Sequence, residues 1–313
     1  MKVSEKMIRK DLRLMGKICK RIKINPKKGK FIRLNIQLRT NNSRPSYNTY
    51  IKHSGNNRLR LLIRKTRNPG KRVPGVLWIH GGGYATGIPE TAYLTMARFA
   101  VKECVVVSPD YTLSVEKPYP AALEDCYQAL KWMTRHAEKL GIRDDQIFVG
   151  GESAGGGMTA ALCLYARDQG EVNIACQIPL YPMLDDRMQS QSMKDNDAPV
   201  WDEDKNQRAW ELYLDGCDKD NIPKYAAPAR ETDYSGLPPA ITFVGGVEPF
   251  RDETIDYVRK LKKAGIKVDF KLYNGCFHTF DLLVPWSTPA KRAKAFFIKS
   301  LRHACANYYA PQP

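Results

Sequence analysis

The stretch 147–157, IFVGGESAGGG, sets one serine among five glycines directly after a short apolar run. A strand running straight into a helix leaves almost no turn between them. The residue at that corner must take a strained backbone conformation that lifts its side chain clear of the sheet. Gly151 and Gly155 stand two positions either side of Ser153, where any Cβ would meet the neighbouring strand or helix. The N–H groups opening the following helix aim positive potential at the surroundings of the serine oxygen. The corner therefore demands a strand before Ser153 and a helix after it.

The rest of the chain supplies that setting. Stretches 47–53 and 58–64 read as antiparallel strands around the turn signal Gly55-Asn56-Asn57, and 75–80 reads as a buried strand. Helix 91–103 then leads to strand 104–108, helix 120–139 to strand 146–149, and helix 154–168 to strand 174–180. Strand 240–244 precedes helix 252–264 and strand 267–273, and helix 289–306 closes the chain. Such alternation predicts an α/β fold with a mostly parallel sheet covered on both faces. Between 185 and 225 the pattern breaks into a polar, acidic, punctuated run with one helix near 203–214, an insertion above the sheet. The stretch 31–39 alternates Ile32, Leu34, Ile36 and Leu38 with polar residues, as a strand would.

With 313 residues, 43% of them hydrophobic, the chain can bury one large core. No uninterrupted apolar run approaches the roughly 18 to 20 residues of a membrane span, and the charged N-terminus lacks the apolar centre of a secretory signal. A soluble, cytoplasmic protein is expected. Cys19, Cys104, Cys126, Cys163, Cys176, Cys217, Cys276 and Cys305 are scattered singly, without metal-ligand spacing. They read as reduced, mostly buried thiols, with no metal or cofactor implied.

Charge is unevenly distributed. Residues 1–72 carry 23 lysines and arginines against only Glu5 and Asp11, a net of +21, which leaves 27 basic and 31 acidic residues for 73–313. Within the first segment Ile8, Leu12, Met15, Ile18 and Ile22 recur at helical spacing, describing an amphipathic basic helix. It could pack by its apolar stripe over the main domain with a solvated cationic face. It could also be drawn to an anionic membrane surface or an acidic substrate. No base-stacking motif accompanies the charge, so a nucleic-acid partner is not expected.

A second glycine cluster, His80-Gly81-Gly82-Gly83, follows the strand at 75–80. Neither G-x-G-x-x-G nor a phosphate-loop Lys-Ser/Thr is present, which points away from phosphate binding. Backbone N–H groups in such a loop can hold the oxyanion that develops during acyl transfer. A serine nucleophile needs a base, normally an imidazole held by a carboxylate. Of His53, His80, His136, His278 and His303, only His278 stands just past a strand end on the expected edge while lying outside the glycine loop, the first hairpin and the helices. After strand 240–244 come Glu248, Asp252 and Glu253 as possible orienting acids. The first is nearest the strand end, and the other two suit the N-terminal dipole of the next helix.

From about residue 47 to 305 the chain resembles the hormone-sensitive-lipase-like esterases of the α/β-hydrolase fold, a group containing many bacterial acetyl and carboxyl esterases. The resemblance rests on HGGGY, PDYTLSVEKPYPAALEDCYQALKW, GGESAGGG, QIPLYPMLDDR, YAAPARETDYSGLPPA and GCFHTFD, in matching order and spacing. It implies Ser153 as nucleophile, His278 as base, and the N–H groups of Gly82, Gly83 and Ala154 as the oxyanion hole. It also implies a cap built from residues 1–46 and the 185–225 insertion, over a catalytic domain spanning 47–313. The family usually has aspartate where this chain has Glu248, and Asp252 is the second choice for the acid. The family's Arg-Leu-Ala-Pro-Glu run is here Thr112-Leu113-Ser114-Val115-Glu116.

The expected activity is two-step hydrolysis of a small ester through an acyl-enzyme, by a monomer or homodimer. An amidase or deacetylase using the same triad is one alternative, because both reactions share an oxyanion intermediate. A ligand-binding relative that has lost catalysis is another, although no triad member is missing here.

Overall fold

β-Branched and aromatic runs form the strands and alanine- and leucine-rich runs the covering helices, in the alternation that the sequence predicts. A computed structural model of the protein describes residues 1–21, 25–28, 47–52, 58–65 and 72–313. The expected strand at 31–39, the turn at 55–57, Ile22 and His53 lie outside the described residues. Eight strands form one sheet: β1 (Tyr47–Lys52), β2 (Arg58–Arg64), β3 (Val73–Ile79), β4 (Val105–Pro109), β5 (Ile142–Glu152), β6 (Cys176–Leu180), β7 (Ala240–Gly245) and β8 (Val268–Tyr273). Their order is β1-β2-β4-β3-β5-β6-β7-β8. The pairs β1/β2 and β2/β4 are antiparallel and all others parallel.

Period-two alternation sends successive side chains of each central strand into opposite apolar layers. Leu77, Ile79, Val105, Val107 and Val149 enter one layer, and Val76, Trp78, Val106 and Phe148 the other. The helices are α1 (Arg13–Arg21), α2 (Ala97–Ala100), α3 (Ala121–Arg135), α4 (Ala137–Leu140), α5 (Ala154–Gln169), α6 (Glu203–Tyr213), α7 (Arg251–Lys263), α8 (Phe280–Leu283) and α9 (Thr288–Asn307). Leu123, Leu130, Met158 and Leu162 from α3 and α5 fill the first layer, and Phe297, Leu301 and Ala304 from α9 fill the second. Among the described residues no helix is long and apolar enough to cross a membrane. The eight cysteines are unbridged, six of them buried.

Two expectations are corrected. The single helix expected at 91–103 is a 3₁₀ turn over Pro89–Leu94 followed by the four-residue α2, with Pro89 at its start and Thr95 extended between the two pieces. The N-terminal stripe also differs. Residues Glu5–Met7 and Lys10–Leu12 are 3₁₀ turns, which rotate the register, so the buried side is Leu12 of the second turn followed by Gly16 and Cys19 of α1. Leu14 and Ile18 face solvent, and Met15 is half-buried.

Gly16 permits the close approach: a Cβ there would lie 3.3 Å from Pro199 and 3.5 Å from Phe277. The Val3 N–H donates to Asp197 at 2.6 Å, and Lys20 pairs with Asp197 at 3.3 Å. The N-terminal segment thus packs both on the sheet domain and on the 185–225 insertion. Val3, Ile8 and Leu12 belong to the second apolar layer. Removing a buried leucine side chain typically costs about 2–5 kcal/mol, so Leu12→Ala is expected to lower the urea-unfolding midpoint clearly. Leu14→Ala should change stability by no more than about 0.5 kcal/mol; equal losses from the two would contradict this packing.

Candidate active site

The register of the parallel strands decides which residues meet. Ile79 of β3 pairs with Gly151 of β5, Glu152 of β5 with Leu180 of β6, and Gly245 of β7 with Tyr273 of β8. The carboxyl ends of these strands form one rim, the place where open α/β sheets hold their ligands. His80, Ser153, Glu248 and His278 all emerge there, within a few residues of a strand end.

Ser153 sits at φ +59° and ψ −121°, between β5 and α5. This is the strained left-handed side of backbone space for a non-glycine residue. The corner is sterically closed around it. A Cβ on Gly155 would lie 2.1 Å from the Ile79 carbonyl oxygen, and one on Gly151 2.4 Å from the same atom. Ser153 Oγ is 2.9 Å from Nε2 of His278. Nδ1 of His278 is 2.5 Å from Oε2 of Glu248, whose Oε1 accepts from the Gly245 N–H at 2.6 Å. All three side chains are buried. Tyr181 and Phe250 set their ring edges against the imidazole, each at 5.1 Å between centroids.

Of the three acids considered from sequence, the structure brings only Glu248 to the histidine. Asp252 accepts from the Ser192 N–H at 2.7 Å and from Arg251 at 2.6 Å. Glu253 accepts from the Leu184 N–H at 2.9 Å. His80 turns away, with its ring stacked on Tyr111 at 4.2 Å and Nδ1 2.9 Å from the Gly81 carbonyl oxygen.

Gly82 and Gly83 adopt φ +124° and +60°, which glycine tolerates at low cost. The Gly82 carbonyl is tied down by the Ala85 and Thr86 N–H groups and the Thr86 hydroxyl. Among the described residues, neither the Gly82 nor the Gly83 N–H is taken up by a hydrogen bond. Ala154 opens α5, so its N–H has no acceptor within the helix. The glycine loop comes close to the serine at its start, where a Cβ on Gly81 would lie 3.2 Å from the Ser153 Cβ. Above the loop, Trp201 and α6 close in: a Cβ on Gly83 would fall 2.5 Å from the Trp201 ring and 3.2 Å from Ala209.

Sequence reasoning passed over Glu152, the residue before the serine. Its buried carboxylate accepts from the Trp78 indole N–H at 2.7 Å and from the Gly81 N–H at 3.1 Å. One side chain thereby links the strand carrying the serine to the glycine loop. The available signal was a carboxylate at the end of an otherwise apolar strand, which must find donors when buried. Trp201 was missed as well, because nothing local marks which residue of an insertion will reach the rim.

Burial pushes the Glu152 carboxyl up to about 8, against the lowering effect of its Gly81 and Trp78 donors. Burial likewise pushes Asp281, three residues beyond His278, up to about 7.

Residues 76–282 match the family described as the alpha/beta hydrolase fold. Among curated relatives, the chain is 37% identical over 199 residues to Esterase LipI of Mycobacterium tuberculosis, covering 63% of this chain and 62% of that protein. The matched stretch therefore spans less than two thirds of that relative's length. It is 33% identical over 240 residues to Carboxylesterase NlhH of the same organism, covering 74% and 75% of the two chains. Among solved structures, the bacterial heroin esterase superposes with a TM-score of 0.88 at 29% identity, covering 97% of this chain and 99% of that one.

The two raised carboxyl groups have a definite sign. A carboxyl whose folded value lies above its unfolded one contributes stability that is full below the ordinary carboxyl range and is lost as pH rises through the folded value. For Asp281 the loss spans the interval from the ordinary range up to about 7. Asp281→Asn removes that titration, so the variant should gain stability relative to the parent as pH rises from about 4 to about 7, by on the order of 1 kcal/mol per unit. Urea titrations at several pH values read the difference, and a gap that stays constant with pH would contradict it.

Proposed function

The chain belongs to the α/β-hydrolase fold family, and on that premise we propose that it is a serine carboxylesterase acting on short- to medium-chain acyl esters. The observation that carries the reading is the unbroken line from Ser153 Oγ through the His278 imidazole to the Glu248 carboxylate, at 2.9 and 2.5 Å. It lies beside a loop whose Gly82 and Gly83 N–H groups have no acceptor among the described residues. The names esterase and carboxylesterase borne by LipI and NlhH support esters as the substrate class.

In this mechanism His278 Nε2 takes the Ser153 proton as Oγ attacks the ester carbonyl. Glu248 holds Nδ1–H and so keeps Nε2 free to accept. Its second oxygen is held by the Gly245 N–H, which stops the carboxylate from swinging away from the imidazole. The developing oxyanion is received by the N–H groups of Gly82, Gly83 and Ala154. Each such donor is worth roughly 3 to 4 kcal/mol of barrier when placed in advance. His278 then returns the proton to the departing alcohol. Water, activated by the same imidazole, releases the acid from the acyl-serine. No metal or cofactor takes part in these steps.

The N-terminal segment and the 185–225 insertion act as the cap. Trp201 packs over Gly83 with its ring centroid 6.4 Å from that of His278, while Tyr181 and Phe250 wall the imidazole. So much aromatic bulk at the rim favours small acyl groups over long ones.

Ser153→Ala is expected to lower kcat/KM for p-nitrophenyl acetate by about 10⁴-fold or more and to abolish labelling by a fluorophosphonate probe. Near-full turnover by that variant would overturn the reading. Glu248→Gln should cost about 10²-fold or more in kcat, whereas Asp252→Asn should leave kcat within a few-fold; a reversal of these two losses would move the acid to Asp252.

A further inference from the structure

The N-terminal segment is anchored by Val3, Ile8, Leu12, Gly16 and Cys19, which leaves its opposite side uncovered. Leu14 is 76% exposed and Ile18 46% exposed on successive turns of α1. Around them stand the exposed cations Lys6, Lys10, Lys17, Lys20 and Arg21. Lys17 pairs with Glu5 at 3.0 Å, Lys20 with Asp197 at 3.3 Å and Arg9 with Asp11 at 3.2 Å. Among the described residues, Lys6, Lys10 and Arg21 have no carboxylate within ion-pair distance.

The same surface continues onto the sheet domain. The Thr288 N–H donates to Asp11 at 3.3 Å, which brings the 284–288 loop against the N-terminal segment. In that loop Trp286 is 64% exposed. Arg9, Lys271, Arg292, Leu272 and Phe296 line a groove of about 450 Å³, and among the described residues no carboxylate lines it. Cations, protruding aliphatic side chains and an exposed indole thus lie on elements that the Thr288–Asp11 contact joins. This is the composition of an interfacial surface, where lysine and arginine meet anionic headgroups while apolar and indole groups enter the boundary beneath them.

We infer that this face docks the protein on an anionic phospholipid bilayer, with Leu14, Ile18 and Trp286 entering the headgroup boundary and Lys10, Lys271 and Arg292 meeting phosphate. Charge complementarity selects this occupant, because the stretch 1–21 that carries Leu14 and Ile18 holds eight basic residues against two acidic ones. The apolar protrusions separate a bilayer from a soluble polyanion, which would make no use of them. Gly16 on this segment packs against Phe277, the neighbour of His278, so docking brings the rim of the sheet close to the lipid. The docking itself does not depend on the chemistry at Ser153.

The test is flotation of the full chain with vesicles of phosphatidylcholine alone and with about 30% phosphatidylglycerol, at about 0.05 and about 0.5 M salt. Binding is expected only to the anionic vesicles, and it should weaken about tenfold or more at the higher salt. Lys10→Glu is expected to weaken it by about fivefold or more, the usual effect of one basic residue near an anionic surface. The double variant Leu14→Asp with Trp286→Ala should lose about tenfold or more, and the blue shift of tryptophan emission on binding should disappear in Trp286→Ala. These variants should keep the parent's circular-dichroism spectrum and urea midpoint, which certifies their folding, and Ser153→Ala should bind vesicles like the parent. Equal binding to neutral vesicles, or binding to neither, overturns the inference. So does anionic binding that the Leu14 and Trp286 substitutions leave unchanged, which would describe a bare cationic surface open to any polyanion, nucleic acid included.

Discussion

The structure turns on a steric contact between backbones: the corner from β5 into α5 is pressed against the end of β3, with the Ile79 carbonyl occupying the space that any side chain at position 151 or 155 would need. That contact leaves Ser153 at φ +59° and points its hydroxyl above the sheet. Strain of this kind costs on the order of 1–3 kcal/mol and persists only where the surroundings over-determine it. Here the surroundings are a buried parallel sheet on one side and the apolar face of α5 on the other. The Ser153 N–H also donates to the Leu180 carbonyl at 3.0 Å, and its own carbonyl accepts from Gly157 and Met183. The corner therefore has little freedom to relax.

A second layer of constraint is electrostatic. Glu152 lies beneath the glycine loop, Glu248 beneath the imidazole, and Asp281 just beyond it, all buried. Only Glu248 meets an imidazole. Glu152 is satisfied by two neutral donors instead, and burial outweighs the lowering effect of those donors on its carboxyl. A buried acid with good donors works as a brace: it holds Gly81 to the strand that carries the serine, so the loop and the nucleophile keep one spacing. The cap adds a third constraint by packing, with Trp201 against Gly83 and its indole N–H held by Asn206 at 3.1 Å.

Much of this was legible in advance, and the parts that were not share a cause. The strand at 58–64 coincides with the observed one, and those at 104–108 and 240–244, with the helices at 154–168, 203–214 and 289–306, differ by no more than one residue at each end. Burial repeats with the backbone's own period, so a local pattern reports a local conformation. The helix expected at 91–103 failed because an extended Thr95 interrupts it, while the apolar periodicity across that break stayed intact. The stripe of α1 was misassigned for a related reason: two 3₁₀ turns precede the helix, and a tighter turn rotates every later residue.

By itself, the sequence determined an α/β fold with a strand-to-helix corner at Ser153, a glycine loop after β3, and a short set of histidines and acids able to serve them. All of these are properties of neighbouring residues, written in glycine spacing and hydrophobic period. Only the tertiary structure decided that Glu248 rather than Asp252 meets His278, that Glu152 ties the glycine loop to the serine strand, and that Leu14 faces water while Leu12 is buried. Ser153 and His278 are 125 residues apart in the chain yet 2.9 Å apart in space. Such meetings depend on strand order and register across the whole sheet, which no local window of the sequence contains.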